Sequence, residues 1–206
     1  MTAFQTEQEA FWAGEFGDQY IGRNPSAKEM GARLALFAKI MARTSEVTSA
    51  IELGANIGNN LKVLHQMFPS MDLAAVEIND KAVEVLRAWG KAQIHHQSLL
   101  DFEPSREYDL AFVSGVLIHI NPDRLSQVYD LLFKASCRYL CCIEYYNPSP
   151  VEISYRGHSG KLFKRDFAGE IMERFPSLRL LDYGFVYHRD ANFPLDDLTW
   201  FLMEKK

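Results

Sequence analysis

The sequence predicts an α/β protein of the doubly wound kind, a mostly parallel sheet with helices on both faces. Three observations carry that reading. From Ser49 to Tyr145, short apolar runs of strand length alternate with segments whose apolar residues recur at helical spacing, and such alternation builds a parallel sheet covered on both sides. The first run, SAIEL, passes through a loop bearing Gly54, Asn56 and Gly58 into a helix, the strand-loop-helix unit that cradles nucleotides in such folds. Beyond Tyr145 the alternation ends, and two runs separated by a turn-rich connection, Leu178–Tyr187 and Leu198–Glu204, fit a late antiparallel pair.

Taken in order, Gln5–Trp12 starts a short helix that Gly14, Gly17, Gly22 and Pro25 break. This arm carries Phe11, Trp12, Phe16 and Tyr20 and ends on Arg23 and Asn24; it is either a lid over a site or aromatic packing on a core. Ser26 with Glu29 three residues on makes a capping-box pattern, and Met30, Leu34, Phe37 (or Ala38) and Met41 line one face of a helix to about Arg43. After the glycine loop, Leu61, Val63, Leu64 and Met67 continue as a helix. Met71–Glu77 is a second buried strand, and Asn79 caps a helix with Ala82, Val83, Leu86 and Trp89 inward. Ala92–His96, Tyr108–Ser114 and Tyr139–Tyr145 are further strands, with a helix from Asn121-Pro122 burying Leu125, Val128, Leu131, Leu132 and Ala135. The polar, proline-bearing stretch from Tyr145 to Phe167 reads as an insertion or loop, followed by helix over Lys164–Phe175.

The length of 206 residues suits one domain. A formal net charge of -5, with no block of lysine or arginine, makes nucleic acid and anionic membrane surfaces poor partners. Cys137, Cys141 and Cys142 cluster on one apolar run and read as buried free thiols, not as a metal site or a disulfide framework. The N-terminal MTAFQTEQEAFW has no basic region before an apolar core, and no apolar run reaches spanning length. The expectation is a cytoplasmic protein without metal, with its oligomeric state left open.

The chemistry concentrates at strand ends. Glu77 closes the second strand, where an acid suits a bidentate bond to ribose hydroxyls. A dinucleotide frame would place glycines at 54, 56 and 59, but Asn56 and Asn59 stand at the last two, which weakens a nicotinamide cofactor. His119, Glu144, Tyr145, Tyr146 and Asn147 follow the fourth and fifth strands. His119 is a general base or a structural hydrogen bond; Glu144, an isolated acid in an apolar strand, needs a partner. Tyr155, Arg156 and His158 begin an aromatic-basic run suited to an acidic group on a substrate, with Arg156 first for its forked guanidinium. Tyr183, His188, Arg189, Asp190, Asp196 and Asp197 are candidates for an opposite wall.

SAIELGANIG resembles the first motif of class I S-adenosylmethionine-dependent methyltransferases, with Asn56 in place of the middle glycine. Glu77 matches the family's ribose acid. Gln97-Ser98-Leu99 looks like its adenine-contacting turn, with Ser98 where the acid usually stands, and YDLAFVSGVLIHI resembles its fourth motif. The resemblance implies a Rossmann-like fold with a seven-stranded, mostly parallel sheet, an antiparallel last strand and helices on both faces. It implies S-adenosylmethionine as cofactor, held by Glu52, Gly54, Asn56, Gly58, Asn59, Glu77, Ile78, Ser98, Leu99, Ser114 and Gly115. FWAGEFGDQYIGRN, YRGHSGKLFKRDF, DYGFVYHRD and DDLTWFL are similar to the methylase family associated with pseudaminic acid biosynthesis.

The expected function is therefore methyl transfer to nitrogen or oxygen of a small polar metabolite, sugar- or amino-acid-derived, by one domain over 1–206. Residues 1–25 form an arm and 146–165 a substrate-side insertion. His119, Glu144 and Tyr20 are the catalytic candidates, and Arg23, Asn24, Tyr146, Asn147, Tyr155, Arg156 and His158 the substrate-binding ones. The rivals are a non-catalytic S-adenosylmethionine-binding regulatory or partner protein and, less favoured, an NAD-dependent oxidoreductase.

Overall fold

A computed structural model describes residues 4–22 and 27–206. The expected cap at Ser26 and the polar end of the arm, Arg23 and Asn24, lie outside the described residues. Seven strands form one sheet: β1 (Ser49–Leu53), β2 (Asp72–Glu77), β3 (Gln93–His96), β4 (Tyr108–Ser114), β5 (Ser136–Glu144), β8 (Leu178–Phe185) and β9 (Thr199–Lys205). Their spatial order is β3-β2-β1-β4-β5-β9-β8. β9 runs antiparallel to both β5 and β8, while the pairs from β3 through β5 are parallel. The mixed sheet is the one the sequence predicts.

The central strands bury both faces, so their sequences are apolar throughout. On β4, Leu110 and Phe112 face one core and Ala111 and Val113 the other. The first core lies under α3 (Ala27–Met41), α4 (Asn59–Met67) and α5 (Asp80–Trp89), which contribute Phe37, Ile40, Leu61, Leu64 and Leu86. The second lies under α6 (Leu125–Ala135) and α7 (Phe167–Arg174), through Val128, Leu132, Phe167 and Ile171. Cys141 and Cys142 alternate between the two cores, but Cys137 is exposed, contrary to the expectation of three buried thiols.

Three local features depart from the sequence reading. The arm holds two helices, α1 (Glu7–Ala13) and α2 (Glu15–Ile21), where glycines predict a break. Gly14 is the extended junction between them. Gly17 is a packing residue inside α2: a Cβ there would stand 1.9 Å from the Trp12 carbonyl oxygen and 2.9 Å from Asn79 Nδ2. β5 begins at Ser136, earlier than its apolar run, because the Ser136 hydroxyl donates to the Tyr139 carbonyl (2.8 Å) and accepts from the Arg138 N–H (3.1 Å). Residues 146–165 carry a small hairpin of β6 (Val151–Glu152) and β7 (Phe163–Lys164), and α7 starts only at Phe167.

The arm is held from two sides. Asn79 Nδ2 donates to the Trp12 carbonyl (3.2 Å) and to Asp18 (3.0 Å), and Lys81 pairs with Asp18 at 2.7 Å. Across the molecule, Gln8 Nε2 donates to the Gly160 carbonyl at 2.8 Å, and the Phe11 ring meets His158 at 5.1 Å. Phe112, fully buried, meets Phe37 edge-on at 5.4 Å and joins α3 to the sheet centre. Phe112→Ala should lower unfolding free energy by about 3–5 kcal/mol in denaturant titration; a loss below about 1 kcal/mol would show that the two rings are not packed as described.

Candidate functional site

Strand order reverses between β1 and β4, and a crevice outside the carboxyl ends of strands at such a point is where ligands bind in open α/β sheets. A cavity of about 560 Å³ occupies it, walled by the loops after β1, β2, β3 and β4 and roofed by the arm. The volume is that of a small-molecule site.

The loop after β1 gets its shape from left-handed backbone at Gly54 (φ +78°), Asn56 (φ +49°) and Gly58 (φ +76°). A Cβ on Gly54 would meet Val116 at 2.7 Å, so the loops after β1 and β4 approach as only glycine allows. Glu77 fixes the loop from below. Its Oε2 accepts the Asn56 N–H (2.6 Å), and its Oε1 accepts those of Ile78 (2.9 Å) and Asn79 (2.8 Å). Burial raises the Glu77 pKa while these bonds oppose the rise. Asn56 Oδ1 is buried with no partner among the described residues and lines the cavity. The asparagine therefore both holds the turn and presents an unpaired acceptor.

Behind the same loop lies a buried chain of polar groups. Arg33 Nη1, from α3, donates to Asn60 Oδ1 at 2.8 Å, and Asn60 Nδ2, from α4, donates to Glu52 Oε1 at 2.6 Å. Burial pushes the Glu52 pKa up to about 8. Glu52 Oε2 and Arg33 Nε are buried without partners among the described residues, and both residues line the cavity. One unpaired acceptor and one unpaired cationic donor at one end of a cavity are the complement of an ammonium and a carboxylate.

On the side of β3, Ile78, Ser98 and Leu99 line the cavity together with Gln8, Glu9 and Trp12 of α1. The Ser98 hydroxyl donates to Glu9 Oε1 and accepts the Leu100 N–H at 3.0 Å. Gln8 Oε1 and Trp12 Nε1 are further buried atoms without partners among the described residues.

The remaining wall is aromatic and polar: Tyr20, His119, Tyr145, Tyr155, Arg156 and Asp196. His119 is wedged between Trp12 (4.6 Å) and Tyr155 (4.9 Å). Its Nδ1 lies 2.6 Å from the Lys161 carbonyl oxygen, which only accepts, so Nδ1 carries the proton and Nε2 keeps a lone pair. Burial lowers its pKa to about 4, so it is neutral at physiological pH. Burial also raises the Tyr145 pKa, keeping the phenol protonated. Arg156 (φ +52°) and Gly157 (φ +86°) form a tight turn closed by two 2.9 Å bonds between Tyr155 and His158, which carries Arg156 to the mouth.

Most expected site residues meet at this cavity: Tyr20, Glu52, Gly54, Asn56, Asn59, Glu77, Ile78, Ser98, Leu99, Ser114, Gly115, His119, Tyr155 and Arg156. Others sit elsewhere. Glu144 is not on the cavity wall; its Oε1 accepts the Val116 (2.9 Å) and Leu117 (3.0 Å) N–H groups, anchoring the loop after β4. Burial raises its pKa to about 7. Gly58 is behind the wall, where a Cβ would meet Leu86 at 2.5 Å. Tyr146 lies against Phe201, Asn147 bonds the Ser149 carbonyl, and His158 packs on Phe11, all away from the cavity. Of the proposed opposite wall only Asp196 lines it. Sequence reasoning missed Gln8, Glu9, Arg33 and Asn60. No motif marks them; Asn60 alone follows the glycine loop closely enough to be read from position. Among the described residues no cluster of His, Cys, Asp and Glu can hold a metal ion, and no helix is long and apolar enough to cross a membrane.

Comparison with solved structures gives the fold of class I, Rossmann-like methyltransferases. A Burkholderia thailandensis 1,6-didemethyltoxoflavin N1-methyltransferase, solved with its substrate and S-adenosylhomocysteine, matches 100% of this chain and 92% of its own with a TM-score of 0.74 and 14% identity. The magnesium protoporphyrin IX methyltransferase of Synechocystis, with bound S-adenosylmethionine, matches over 100% of both chains at a TM-score of 0.68 and 12% identity. An amino pentose methyltransferase from Micromonospora echinaspora matches 93% of this chain and 96% of its own at 0.63 and 11%. No protein-family model and no curated protein matches the sequence. At these identities the likeness is one of fold, and the chemistry rests on the site.

The buried acids give stability a pH dependence. A folded pKa of about 8 for Glu52, against an ordinary 4.5, means the folded chain keeps a proton that the unfolded chain has released, so stability falls as pH rises through that range. His119, lowered from 6.5 to about 4, acts oppositely but only below its unfolded value. From pH 6.5 to 8 the Glu52 effect is therefore unopposed by His119. Glu144, raised to about 7, adds a fall of the same sign at the lower part of the window, so the melting temperature should fall by a few degrees across it. Glu52→Gln should reduce the slope, most of all above about pH 7, without abolishing it; an equal slope in the variant would place the titrating group elsewhere.

Proposed function

We propose that the chain is an S-adenosylmethionine-dependent methyltransferase acting on nitrogen or oxygen of a small polar metabolite, sugar- or amino-acid-derived. The observation that carries this is the pairing of unpaired Glu52 Oε2 and Arg33 Nε at one end of a cavity whose other cofactor-side groups are Glu77, Ser98 and Leu99. The first pair fits the ammonium and carboxylate of a methionine moiety. Glu77, with one lone pair of Oε2 left by its backbone bonds, fits a ribose hydroxyl. The cofactor supplies an electrophilic methyl group whose leaving group is already activated, so the protein's part is to align the acceptor and exclude water.

The aromatic wall is the acceptor's side. His119, neutral with its proton fixed on Nδ1, receives a hydrogen bond from the acceptor's N–H or O–H through Nε2. Tyr155 packs against its ring and Tyr20 lines the same cavity, and Arg156 at the mouth pairs with an acidic group. We read the arm described over residues 4–22 as the roof and 146–165 as the acceptor-side insertion of a single domain, in a cytoplasmic protein with no nucleic-acid or membrane partner. Amino sugars and sugar acids are the first acceptors to screen, on the expectation from sequence that the chain resembles the methylases of pseudaminic acid biosynthesis and on the fold shared with an amino pentose methyltransferase.

Calorimetric titration with S-adenosylmethionine, S-adenosylhomocysteine and NAD tests the reading: the first two bind and NAD does not. Binding of NAD alone would sink it. Arg33→Met should weaken both adenosyl ligands by about 1.5–3 kcal/mol, the worth of a hydrogen bond to a charged group. A screen that follows S-adenosylhomocysteine formation identifies the acceptor. Arg156→Ala should then raise its KM by roughly ten-fold or more with cofactor affinity unchanged; equal losses for both ligands would point to damage to the fold.

A further inference from the structure

Glu9 stands in the first turn of α1 and is buried. Its Oε2 closes a capping box by accepting the Thr6 N–H at 2.8 Å, while Thr6 Oγ1 accepts the Glu9 N–H at 3.2 Å. A capping box uses one carboxylate oxygen. The other, Oε1, leaves the helix and accepts the Ser98 hydroxyl, 89 residues away in the chain. Glu9 makes no salt bridge among the described residues. Ser98 has committed its only proton to Glu9. The next residue, Leu99, has an N–H with no partner among the described residues. The corner adjoins Glu77, whose carbonyl accepts the Gln97 N–H at 3.0 Å. Glu9, Ser98 and Leu99 all line the cavity.

We infer that Glu9, carried on the N-terminal arm and not on the sheet, selects the base of the bound nucleoside by accepting a hydrogen bond from its exocyclic amine. The Leu99 N–H donates to the neighbouring ring nitrogen. The inference rests on the reading of the cavity as an adenosyl site. A carboxylate acceptor beside a backbone donor complements adenine, which presents an amine donor beside a ring acceptor. Hypoxanthine reverses both groups, setting its carbonyl oxygen against the carboxylate and its ring N–H against the backbone N–H. A site built on buried hydrogen-bonding groups rejects such an analogue strongly, because its own groups are left unpaired.

The test compares S-adenosylhomocysteine with S-inosylhomocysteine by calorimetry on the full chain. The wild type should favour the adenosyl ligand by roughly 100-fold or more. Glu9→Gln keeps an oxygen for the capping box and turns an amide donor toward the base, so the ratio should fall to within roughly ten-fold. Thr6→Ala removes the hydroxyl half of the capping box but leaves the Thr6 N–H bond and the Ser98 contact, and should keep the wild-type ratio. An unchanged ratio in Glu9→Gln overturns the inference while leaving the adenosyl site standing. So does a ratio that narrows equally in Thr6→Ala, since the effect would then come from anchoring the helix. A wild type that binds neither ligand overturns the cofactor reading, and this inference with it. Should Glu9→Gln fail to fold by circular dichroism, Ser98→Ala decides: removing the hydroxyl that positions Glu9 should narrow the ratio, and an unchanged ratio overturns the proposal.

Discussion

The carboxylate of Glu77 is the point on which the site depends. It collects three backbone N–H groups from two segments, Asn56 after β1 and Ile78 and Asn79 after β2. A carboxylate that accepts several amide N–H bonds is a strong organiser, because each bond is charge-assisted and the acceptor is fixed by the strand. From there order passes outward. Asn79, held through its own N–H, caps α5 by accepting the Ala82 N–H at 3.0 Å and holds Trp12 and Asp18 of the arm with its amide. The arm in turn places Trp12 against His119 and Glu9 against Ser98. The loops of the floor and the arm of the roof form one connected structure that begins at a single strand end.

Glu52 and Glu144 show how one sequence signal divides into two roles. Both are acids near the end of an apolar strand, and both are almost fully buried. Glu144 meets backbone donors of the β4 loop and serves as scaffold. Glu52 meets only one amide and keeps an unpaired oxygen beside the cavity. Burying a carboxyl with an open valence is costly, and its pKa of about 8 means that it is held protonated near neutral pH. The distinction rests on which loop lies over each carboxyl, and strand periodicity carries no such information.

The same division runs through the rest of the chain. The strands were readable because a sheet buried on both faces writes unbroken apolar runs, and β4 and β2 match theirs within a residue. The glycine loop was readable because left-handed backbone leaves few choices of residue. α2 was not, since Gly17 looks like a breaker and is there to let a helix touch the Trp12 carbonyl. Arg33 was not, because its place on α3 has meaning only once α4 brings Asn60 beside it. Gly58 looked like a ligand-facing position and turned out to be a fit against Leu86. Local backbone demands are visible in a sequence, whereas a site assembled from distant helices is not.

Charge gives the cavity its direction. Its wall carries Glu9, Glu29, Glu52, Glu77 and Asp196 against Arg33 and Arg156, and a cleft lined mainly by acids concentrates cations. On the reading proposed above, a sulfonium ligand with an ammonium end would bring two positive centres to such a cleft and set its carboxylate against Arg33. An approaching cation favours the ionised form of Glu52 over the protonated one, so on that reading the acid that is neutral in the free protein would become a counter-ion. At the opposite end, neutral His119 and the protonated Tyr145 add no charge that would compete for the methyl donor. That wall also carries Arg156 and Asp196, so on the proposed reading the acceptor would meet rings, hydrogen-bonding groups and one charge of each sign, where the cofactor would meet mostly acids.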